Sequence, residues 1–308
     1  MTKIIKIGTR DSELALWQAH TVSEKLTDLG FKTEIVPVKS DGDLILNKPL
    51  YELGITGIFT KTLDVAMLAG KVDIAVHSMK DVPTALPKGI VQAAVLPRAK
   101  TIDILVHKGD LSFLDHTEGI VATGSLRRKA QWLYKYPTHH IEDLRGNVNT
   151  RLQKLENNAW NGAIFAAAGL ERINVKPSEY IDLDWMIPAP AQGAMLVVAM
   201  ENDHFIIDAV AQLNDIETEI TTYIERQFLR TLEGGCTAPI GALASYNEHD
   251  DTIRLKGALF SLDGKQKIDI DKVVAIEEWK KLGFFAAKEI LENGGEQLMK
   301  VLRTQLKK

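Results

Sequence analysis

Short apolar segments alternate with amphipathic ones along the first two thirds of the chain, and this alternation constrains the fold more than any other feature. Strands are predicted at residues 3–8, 33–38, 72–76 and 90–96. Between them lie a helix that Asp11 or Ser12 caps and Gly30 ends, and a helix at residues 59–68. The βαβα order predicts a mostly parallel sheet with helices on both faces. The residues expected on the buried face of the first helix are Leu14, Trp17, Val22, Leu26 and Leu29.

A second segment repeats this pattern, and a different one follows it. In the repeat, Ser125 and Asn147 are predicted to cap helices. The later part has a long amphipathic helix, two strands joined by a turn at Asp263-Gly264, and a last helix. We therefore expect two α/β units followed by a small α+β domain. The repeat has predicted strands at 104–107, 119–122, 140–144 and 163–167. A strand at 195–199 and a helix at 205–213 follow, and a return of this helix to the first unit is left open. The later elements are a helix at 216–232, strands at 253–261 and 267–274, and a helix at 277–291.

Length and composition restrict the class of protein. A chain of 308 residues is too long for one core and predicts two or three domains. The net charge of -4 argues against a general nucleic-acid binder, which needs a basic surface. No apolar run reaches about 18 residues and no export signal precedes the first strand, so we expect a cytoplasmic protein without a membrane segment. A monomer is the default expectation.

Arginines occupy three of the predicted strand-to-helix turns. A helix N-terminus already carries about half a positive charge, so an arginine there costs a few tenths of a kcal/mol unless an anion lies close. Because α/β sheets bind ligands at the carboxyl ends of their strands, the pattern predicts a site for a polycarboxylate or polyphosphate. Solvated surface arginines are the alternative. The arginines at these turns are Arg10, Arg127, Arg128, Arg145 and Arg151.

A polar segment follows the third predicted strand. An aspartate there, next to a lysine and facing arginines, would stay ionised and could stabilise a cationic intermediate or move a proton. The alternative is an Asx turn before Pro83, which is a common structural use of aspartate. The residues alone do not decide between the two. The segment reads His77-Ser78-Met79-Lys80-Asp81-Val82-Pro83.

Cys236 is the only cysteine in the sequence and follows Gly234-Gly235 in a predicted loop. It cannot form an intramolecular disulfide. It is either a small buried hydrophobe or a thiol held in a loop so that a bulky group can be bonded to it. The histidines and acids have no metal-ligand spacing, so no metal is expected.

Seven motifs occur in an order that resembles the porphobilinogen deaminase family, whose members are also called hydroxymethylbilane synthases. The resemblance covers nearly the whole chain and weakens towards the C-terminus. The motifs are Ile7-Gly8-Thr9-Arg10-Asp11-Ser12, the segment Val76–Pro83, Gly124-Ser125-Leu126-Arg127-Arg128, Leu144-Arg145-Gly146-Asn147-Val148, Thr150-Arg151-Leu152, Gln192-Gly193-Ala194 and Leu232-Glu233-Gly234-Gly235-Cys236.

The resemblance implies a fold and a reaction. Two lobes would be similar to those of periplasmic solute-binding proteins, with domain 1 at residues 1–98 and 195–214 and domain 2 at 99–194. The α+β domain 3 would span 215–308. The enzyme would be a transferase of haem and tetrapyrrole biosynthesis. It would condense four porphobilinogen molecules, with loss of ammonia, onto a dipyrromethane primer and release linear hydroxymethylbilane by hydrolysis.

The resemblance also implies residue roles. Cys236 would hold the dipyrromethane through a thioether, and Asp81 would be catalytic, stabilising the azafulvene cation that forms as ammonia leaves. Each pyrrole carries an acetate and a propionate, which accounts for redundant arginines. The residues implied for the cofactor are Cys236, Lys80, Asp81, Ser125, Arg127 and Arg128. Those implied for substrate or the growing chain are Arg10, Ser12, Lys61, Ser78, Arg145, Arg151, Arg172 and Gln192.

The chain departs from the family pattern at three positions. Thr56 stands where a lysine is frequent, Ile102 replaces the arginine of an Arg-Asp pair, and Gly124 stands where a second Ser or Thr is common. These departures bear on single carboxylate contacts. Two other functions remain open on the residues alone: a solute-binding or sensor protein for a small polyanion, and a phosphate-ester enzyme. The first would not need Cys236, and the second lacks a GxxxxGK[ST] loop.

Overall fold

Three sheets and nine α-helices are found in the part of the chain that the computed structural model describes, residues 3–39, 60–115, 118–175, 177–232 and 238–306. The strands are β1 (Ile4–Thr9), β2 (Lys32–Pro37), β3 (Ile74–Ser78), β4 (Ile90–Val95), β5 (Asp103–His107), β6 (Ile120–Ala122), β7 (His140–Glu142), β8 (Gly162–Ala166), β9 (Tyr180–Asp182), β10 (Met195–Met200), β11 (Ile240–Asn247), β12 (Thr252–Phe260) and β13 (Lys267–Ala275). The helices are α1 (Glu13–Asp28), α2 (Lys61–Leu68), α3 (Leu126–Lys135), α4 (Val148–Asn157), α5 (Ala167–Arg172), α6 (His204–Ala211), α7 (Ile216–Thr231), α8 (Trp279–Ile290) and α9 (Glu296–Leu306).

The two five-stranded sheets have the same strand pattern. The first has the order β2-β1-β3-β10-β4 and the second β7-β6-β8-β5-β9. In each, three neighbouring strands are parallel and the fourth, β10 or β5, is antiparallel to both of its neighbours. The mostly parallel sheet is confirmed. Strand β10 follows β9 of the second sheet and β5 follows β4 of the first, so no crossover helix within one sheet requires either strand to run parallel.

The described residues form two compact units. The first unit comprises residues 3–39, 60–99 and 192–220 and holds the first sheet. The second comprises the described residues of 100–191 and 221–306, and holds the other five-stranded sheet and the antiparallel sheet β11-β12-β13. The predicted fold class, two α/β lobes and a small α+β C-terminal part, is confirmed. No helix among the described residues is long and apolar enough to span a bilayer.

Helix α1 is buried on a different face from the predicted one. Val22 and Leu26 pack into the core as expected, but Trp17 is 37% exposed and Leu29 is 44% exposed. The buried face instead carries Ala15, Gln18 and Ala19, so the prediction was wrong for Trp17 and Leu29. Spacings of three and four fit more than one helix face, and small alanines let the helix approach the sheet closely.

The predicted caps are confirmed at two sites that position arginines. The Ser125 hydroxyl accepts a hydrogen bond from the Arg128 amide at 3.4 Å, and the Asn147 side chain accepts one from the Thr150 amide at 2.9 Å.

Four elements were not predicted: β9, β11, α5 and α9. Strand β9 and helix α5 are short, and β11 contains glycine and alanine, which have low strand propensity; its full ladder with β12 stabilises it.

The turn between β12 and β13 contacts helix α3. Gly264 has φ +72°, and its amide donates to the Ser261 carbonyl at 3.0 Å, which confirms the predicted hairpin turn. A Cβ at Gly264 would lie 2.6 Å from the Tyr134 amide nitrogen. Ala130 packs with Ala258 and Phe260 on the same side. The C-terminal sheet therefore supports the helix whose first turn carries Arg127 and Arg128.

Candidate functional site

The carboxyl end of β3 leads into a one-turn 3-10 helix, Met79–Asp81. Met79 is buried, and its amide donates to the Ala194 carbonyl at 3.0 Å, which anchors the turn. Lys80 and Asp81 on the same turn are half-buried. The anchored apolar residue thus holds two charged side chains at the edge of the sheet, where α/β sheets place their ligands.

A pocket of about 70 Å³ lies at this edge in the first unit. Arginine, hydroxyl and carboxylate groups line it beside apolar side chains, so it suits a small group with both acceptor and donor atoms. The lining residues are Arg10, Ser12, Leu14, Ala15, Gln18, Thr60, Val76, His77, Ser78 and Asp81.

Two serines in the pocket differ in how they are held. The Ser78 hydroxyl oxygen accepts a hydrogen bond of 2.9 Å from Nε2 of Gln18, which is buried on the inner face of α1. Ser12 occupies the N-cap position of α1, but its side chain makes no capping hydrogen bond. The Ser12 hydroxyl is therefore not used to cap the helix and lies in the pocket lining.

His77 is a buried imidazole in the pocket wall. Burial, and then the charge of Arg10, lower the pKa of His77 to about 4. The imidazole is therefore neutral near pH 7. The positive charge of the pocket comes from arginine and not from histidine.

The Asp81 carboxylate makes no hydrogen bond or ion pair within the described residues. An Asx turn would require this carboxylate to accept from the backbone next to Pro83, so the structural alternative of the sequence analysis has no contact to support it. Among the pocket residues, Asp81 is the carboxylate available to a ligand.

Lys80 is held by a buried glutamine. The Lys80 ammonium donates to Oε1 of Gln192 at 3.3 Å, and Gln192 is fully buried. The backbone carbonyl of Gln192 accepts from Nε of Arg98 at 2.9 Å. The structure thus brings together Lys80 and Gln192, both predicted site residues, and assigns Arg98 to the support of Gln192.

In the second unit, Arg127 and Arg128 in the first turn of α3 form a buried ion cluster with Asp103, the first residue of β5. Nη1 of Arg127 lies 2.7 Å from Oδ2 of Asp103. Nε and Nη2 of Arg128 donate to Oδ1 of Asp103 at 3.1 and 2.8 Å. The exposed fractions are 4% for Arg127, 6% for Arg128 and 0% for Asp103. An internal carboxylate, which the sequence analysis did not assign, therefore faces the two arginines.

The two arginines differ in their remaining donors. Nη1 of Arg128 donates to the Ile164 carbonyl at 2.9 Å, so all three of its nitrogens are bonded within the protein. Nη1 of Arg127 donates to the Ile187 carbonyl at 2.8 Å, but its buried Nε has no hydrogen-bond partner in the described residues. Burial lowers the pKa of Arg127, and Asp103 opposes this effect.

Three more predicted arginines lie in the second unit. Arg145 is buried, and burial lowers its pKa. Nε of Arg151 donates to the Gly146 carbonyl at 2.8 Å. Arg172 ends helix α5, and burial lowers its pKa to about 10, which leaves it charged at neutral pH. These arginines follow the carboxyl ends of β7 and β8, as the anion-site hypothesis expects.

The remaining predicted residues and departures are placed as follows. Lys61 is the exposed first residue of α2 and does not line the pocket. Cys236 and Thr56 lie outside the described residues. Ile102 packs against the core of the second unit. A Cβ at Gly124 would lie 2.5 Å from the Leu144 carbonyl oxygen, so a larger residue there would require the backbone to shift.

Sequence reasoning missed Gln18 and the role of Asp103. Gln18 was detectable as a polar residue between Ala15 and Val22, at helical spacing on one face. Asp103 begins a buried strand, but no local pattern shows that its partners lie about 25 residues later. Among the described residues, no group of three or more His, Cys, Asp or Glu is arranged to hold a metal ion.

Comparison with solved structures found weak similarities. One is to the periplasmic VFT2 domain of Bordetella pertussis BvgS, with a TM-score of 0.42 and 12% identity over 68% of this chain and 86% of that one. Another is to an ancestral cationic amino acid solute-binding protein, with a TM-score of 0.42 and 16% identity over 68% of this chain and 87% of that one.

Sequence comparison is far more specific than the comparison with solved structures. A family model described as "Porphobilinogen deaminase, dipyromethane cofactor binding domain" matches residues 5–208, and one described as "Porphobilinogen deaminase, C-terminal domain" matches residues 220–292. A probable porphobilinogen deaminase of Methanocaldococcus jannaschii is 40% identical over 91% of this chain and 98% of its own. The porphobilinogen deaminase of Nitratiruptor sp. is 40% identical over 96% of each chain. The chloroplastic porphobilinogen deaminase of Pisum sativum is 39% identical over 96% of this chain and 83% of its own. The chain therefore belongs to the porphobilinogen deaminase family.

Proposed function

We propose that Asp81 is the carboxylate around which this enzyme polymerises porphobilinogen, and that Cys236 bears the dipyrromethane cofactor. The enzyme is a transferase of tetrapyrrole biosynthesis with a dipyrromethane cofactor-binding domain. The observation that carries the assignment of Asp81 is its carboxylate, which has no partner within the described residues and lines a pocket with Arg10, Ser12 and Ser78.

The residues present suit a cofactor rich in carboxylates. The buried Nε of Arg127 has no hydrogen-bond partner in the described part of the chain. Arg127 and Arg128 together carry one more charge than Asp103 can balance. Arginine, lysine and serine are donors that match acetate and propionate groups. A carboxylate ligand would therefore satisfy both an unused donor and an unbalanced charge.

The residues proposed to hold the cofactor are Cys236 by a thioether, with Lys80, Asp81, Ser125, Arg127 and Arg128. When bound, the dipyrromethane supplies the nucleophilic pyrrole carbon onto which porphobilinogen is condensed. The chain's own contribution is position and charge. Gln192 orients the Lys80 ammonium, and the capping bond of the Ser125 hydroxyl holds the first turn of α3.

Asp81 acts on the substrate by electrostatics. Loss of ammonia from porphobilinogen leaves a cation, and an unpaired carboxylate in a partly closed pocket stabilises such a charge more than water does. Arg10, Ser12 and Ser78 line the same pocket and are proposed to bind the substrate's acidic side chains. His77 is neutral and therefore does not compete with the substrate cation for Asp81.

Other residues are proposed to bind substrate or the growing chain, with several arginines for several carboxylates. Gln192 belongs to this set through its contact with Lys80. The remaining members are Lys61, Arg145, Arg151 and Arg172.

The localisation, the oligomeric state and the domain bounds are also proposals. The chain is a cytoplasmic monomer, and its domains are residues 1–98 with 195–214, residues 99–194 and residues 215–308. The two family models, at residues 5–208 and 220–292, support a C-terminal domain that begins near residue 215.

Intact-mass spectrometry tests the cofactor attachment. We expect the purified chain to be heavier than its sequence by one dipyrromethane and Cys236→Ser to have the bare sequence mass. Cys236→Ser should not turn over porphobilinogen, since a primer that survives turnover needs a covalent bond. An active wild-type chain with its bare sequence mass would contradict the assignment of Cys236.

A further inference from the structure

The ion cluster at the start of α3 is sealed from solvent and has an odd number of charges. Asp103 is fully buried, and Arg127 and Arg128 are more than nine-tenths buried. The charges that act on Arg127 are those of Asp103 and Arg128. Two guanidinium groups and one carboxylate leave one net positive charge. A buried unbalanced charge is costly unless a counter-ion arrives.

One buried donor of the cluster is not used by a hydrogen bond within the described residues. Arg128 uses Nε, Nη1 and Nη2 on Asp103 and on the Ile164 carbonyl. Arg127 uses Nη1 on Asp103 and on the Ile187 carbonyl, whereas its Nε has no hydrogen bond within the described residues. Nε of Arg127 is thus the buried donor of the two arginines that has no hydrogen bond within the described residues.

We propose that Asp103 is a positioning residue that sets the cluster to one net positive charge, so that Arg127 takes one ligand carboxylate while Arg128 acts through Asp103. The inference rests on the proposed cofactor site and deepens it. It reassigns Arg128 from a direct contact to a residue that balances Asp103. Without Arg128, the Asp103 carboxylate would neutralise Arg127 and the attraction for a ligand carboxylate would be lost.

The net charge of the cluster distinguishes this arrangement from direct contact. Arg128→Gln leaves a neutral cluster and should load little cofactor. Asp103→Asn with Arg128→Gln restores one net positive charge, because the amide that replaces the carboxylate is uncharged. If Arg128 touched the cofactor itself, the double variant would be no better than Arg128→Gln.

The experiment measures cofactor loading of the full chain by intact-mass spectrometry, with the thermal midpoint as a folding control. Apo-chains made in cells that lack porphobilinogen are then mixed with porphobilinogen, and the rate of mass gain is followed. We expect Arg128→Gln to load roughly ten- to a hundredfold more slowly than wild type, in line with a lost charge-assisted contact. The double variant should recover most of this loss. The exposed pair Arg254–Asp271 gives a matched control, since Arg254→Gln removes the same charge and should load normally.

A folded double variant that loads no faster than Arg128→Gln would overturn the inference. If the double variant does not fold, Arg128→Lys decides, because it keeps the charge and should load; a folded Arg128→Lys chain that stays at its sequence mass would also overturn it. A wild-type chain that never gains mass would instead contradict the cofactor proposal. In that case the net charge of the cluster is tested with sodium succinate, a dicarboxylate, against sodium chloride of equal ionic strength. Succinate should raise the thermal midpoint of the wild type more than that of Arg128→Gln. Equal rises in the two midpoints would overturn the inference.

Discussion

The pocket of the first unit and the arginine cluster of the second both lie at the carboxyl ends of parallel strands, yet they hold charge in opposite ways. In the pocket, Asp81 is half-buried and its carboxylate makes no hydrogen bond or ion pair with the described residues. In the cluster, Asp103 has no exposed surface and binds both Arg127 and Arg128. The same residue type thus serves as an available group in one unit and as an internal counter-ion in the other.

This difference predicts which substitutions change the reaction and which change stability. A carboxylate that makes no hydrogen bond or ion pair with the described residues adds little to folding, so replacing Asp81 should change chemistry and leave stability almost unchanged. Removing one partner of a buried ion pair typically costs about 3–5 kcal/mol. Replacing Asp103 or Arg128 should therefore affect stability as well as ligand binding. Three predictions concern the pocket and the segment that leads into the arginine helix, in order of decreasing effect.

The largest effect is expected at Asp81. Asp81→Asn keeps the size of the side chain and removes its charge, so turnover of porphobilinogen should fall by about 10²–10³-fold or more. Asp81→Glu keeps the charge about one methylene away and should retain a small activity. Both rates are measured beside the thermal midpoint, which should stay near the wild-type value. An Asn variant with near-normal turnover, or one that is inactive only because it unfolds, would return Asp81 to a structural role.

The second effect concerns His77 and acid pH. The folded pKa of about 4 lies below the usual 6.5, so the unfolded chain takes up a proton first as pH falls. The stability that the neutral imidazole contributes is fully present above pH 6.5 and is lost as pH falls towards 4. The loss amounts to roughly 3 kcal/mol below that range. His77→Gln should flatten the fall in unfolding free energy between pH 6.5 and 4, measured by urea denaturation.

The exposed His20 gives the control for this measurement. His20→Gln removes a histidine of the same type without changing a buried one, so its pH profile should follow that of the wild type. A His77→Gln chain whose stability falls as steeply as the wild type would show that other groups cause the acid sensitivity.

The smallest effect is expected at Gly124, just before the arginine helix. Gly124→Ala and Gly124→Ser each place a Cβ against the Leu144 carbonyl oxygen, at a distance of 2.5 Å before relaxation. Overpacking of this kind costs about 1–3 kcal/mol, so both thermal midpoints should fall to a similar degree. A higher midpoint for serine would mean that its hydroxyl finds a partner. Unchanged midpoints for both would show that the β6–α3 segment can shift without cost.

Much of the fold was predictable because its signals are local. The strand and helix alternation, the caps Ser125 and Asn147, and the turn at Gly264 depend on neighbouring residues, and the structure confirms them. The inner face of α1 was not predictable, because Trp17 and Ala15 both fit a helical repeat and only contact with the sheet distinguishes them. Strand β11 depends on its pairing with β12, which no local propensity shows.

The candidate site also has a part that was predictable from the sequence and a part that was not. Motif order pointed to Arg10, Ser12, Ser78 and Asp81, and the structure gathers these residues around one pocket. The support of the site was not visible in the motifs. Gln18 holds Ser78 across 60 positions, and Gln192 holds Lys80 across 112. Such contacts join side chains that are distant in sequence, so only the folded backbone brings them within hydrogen-bond distance.

The sequence by itself determined the family, the α/β class and the residue types that recognise carboxylates, because these are carried by local patterns and by motif order. Only the tertiary structure decided which charges are available to a ligand and which are used inside the protein. Arg127 and Arg128 are adjacent and identical in type, yet their guanidinium groups meet different acceptors. The physical reason is burial: once Asp103 and the carbonyls of Ile164 and Ile187 are brought around the first turn of α3, each donor must be paired or left orphaned, and that balance exists only in the folded chain.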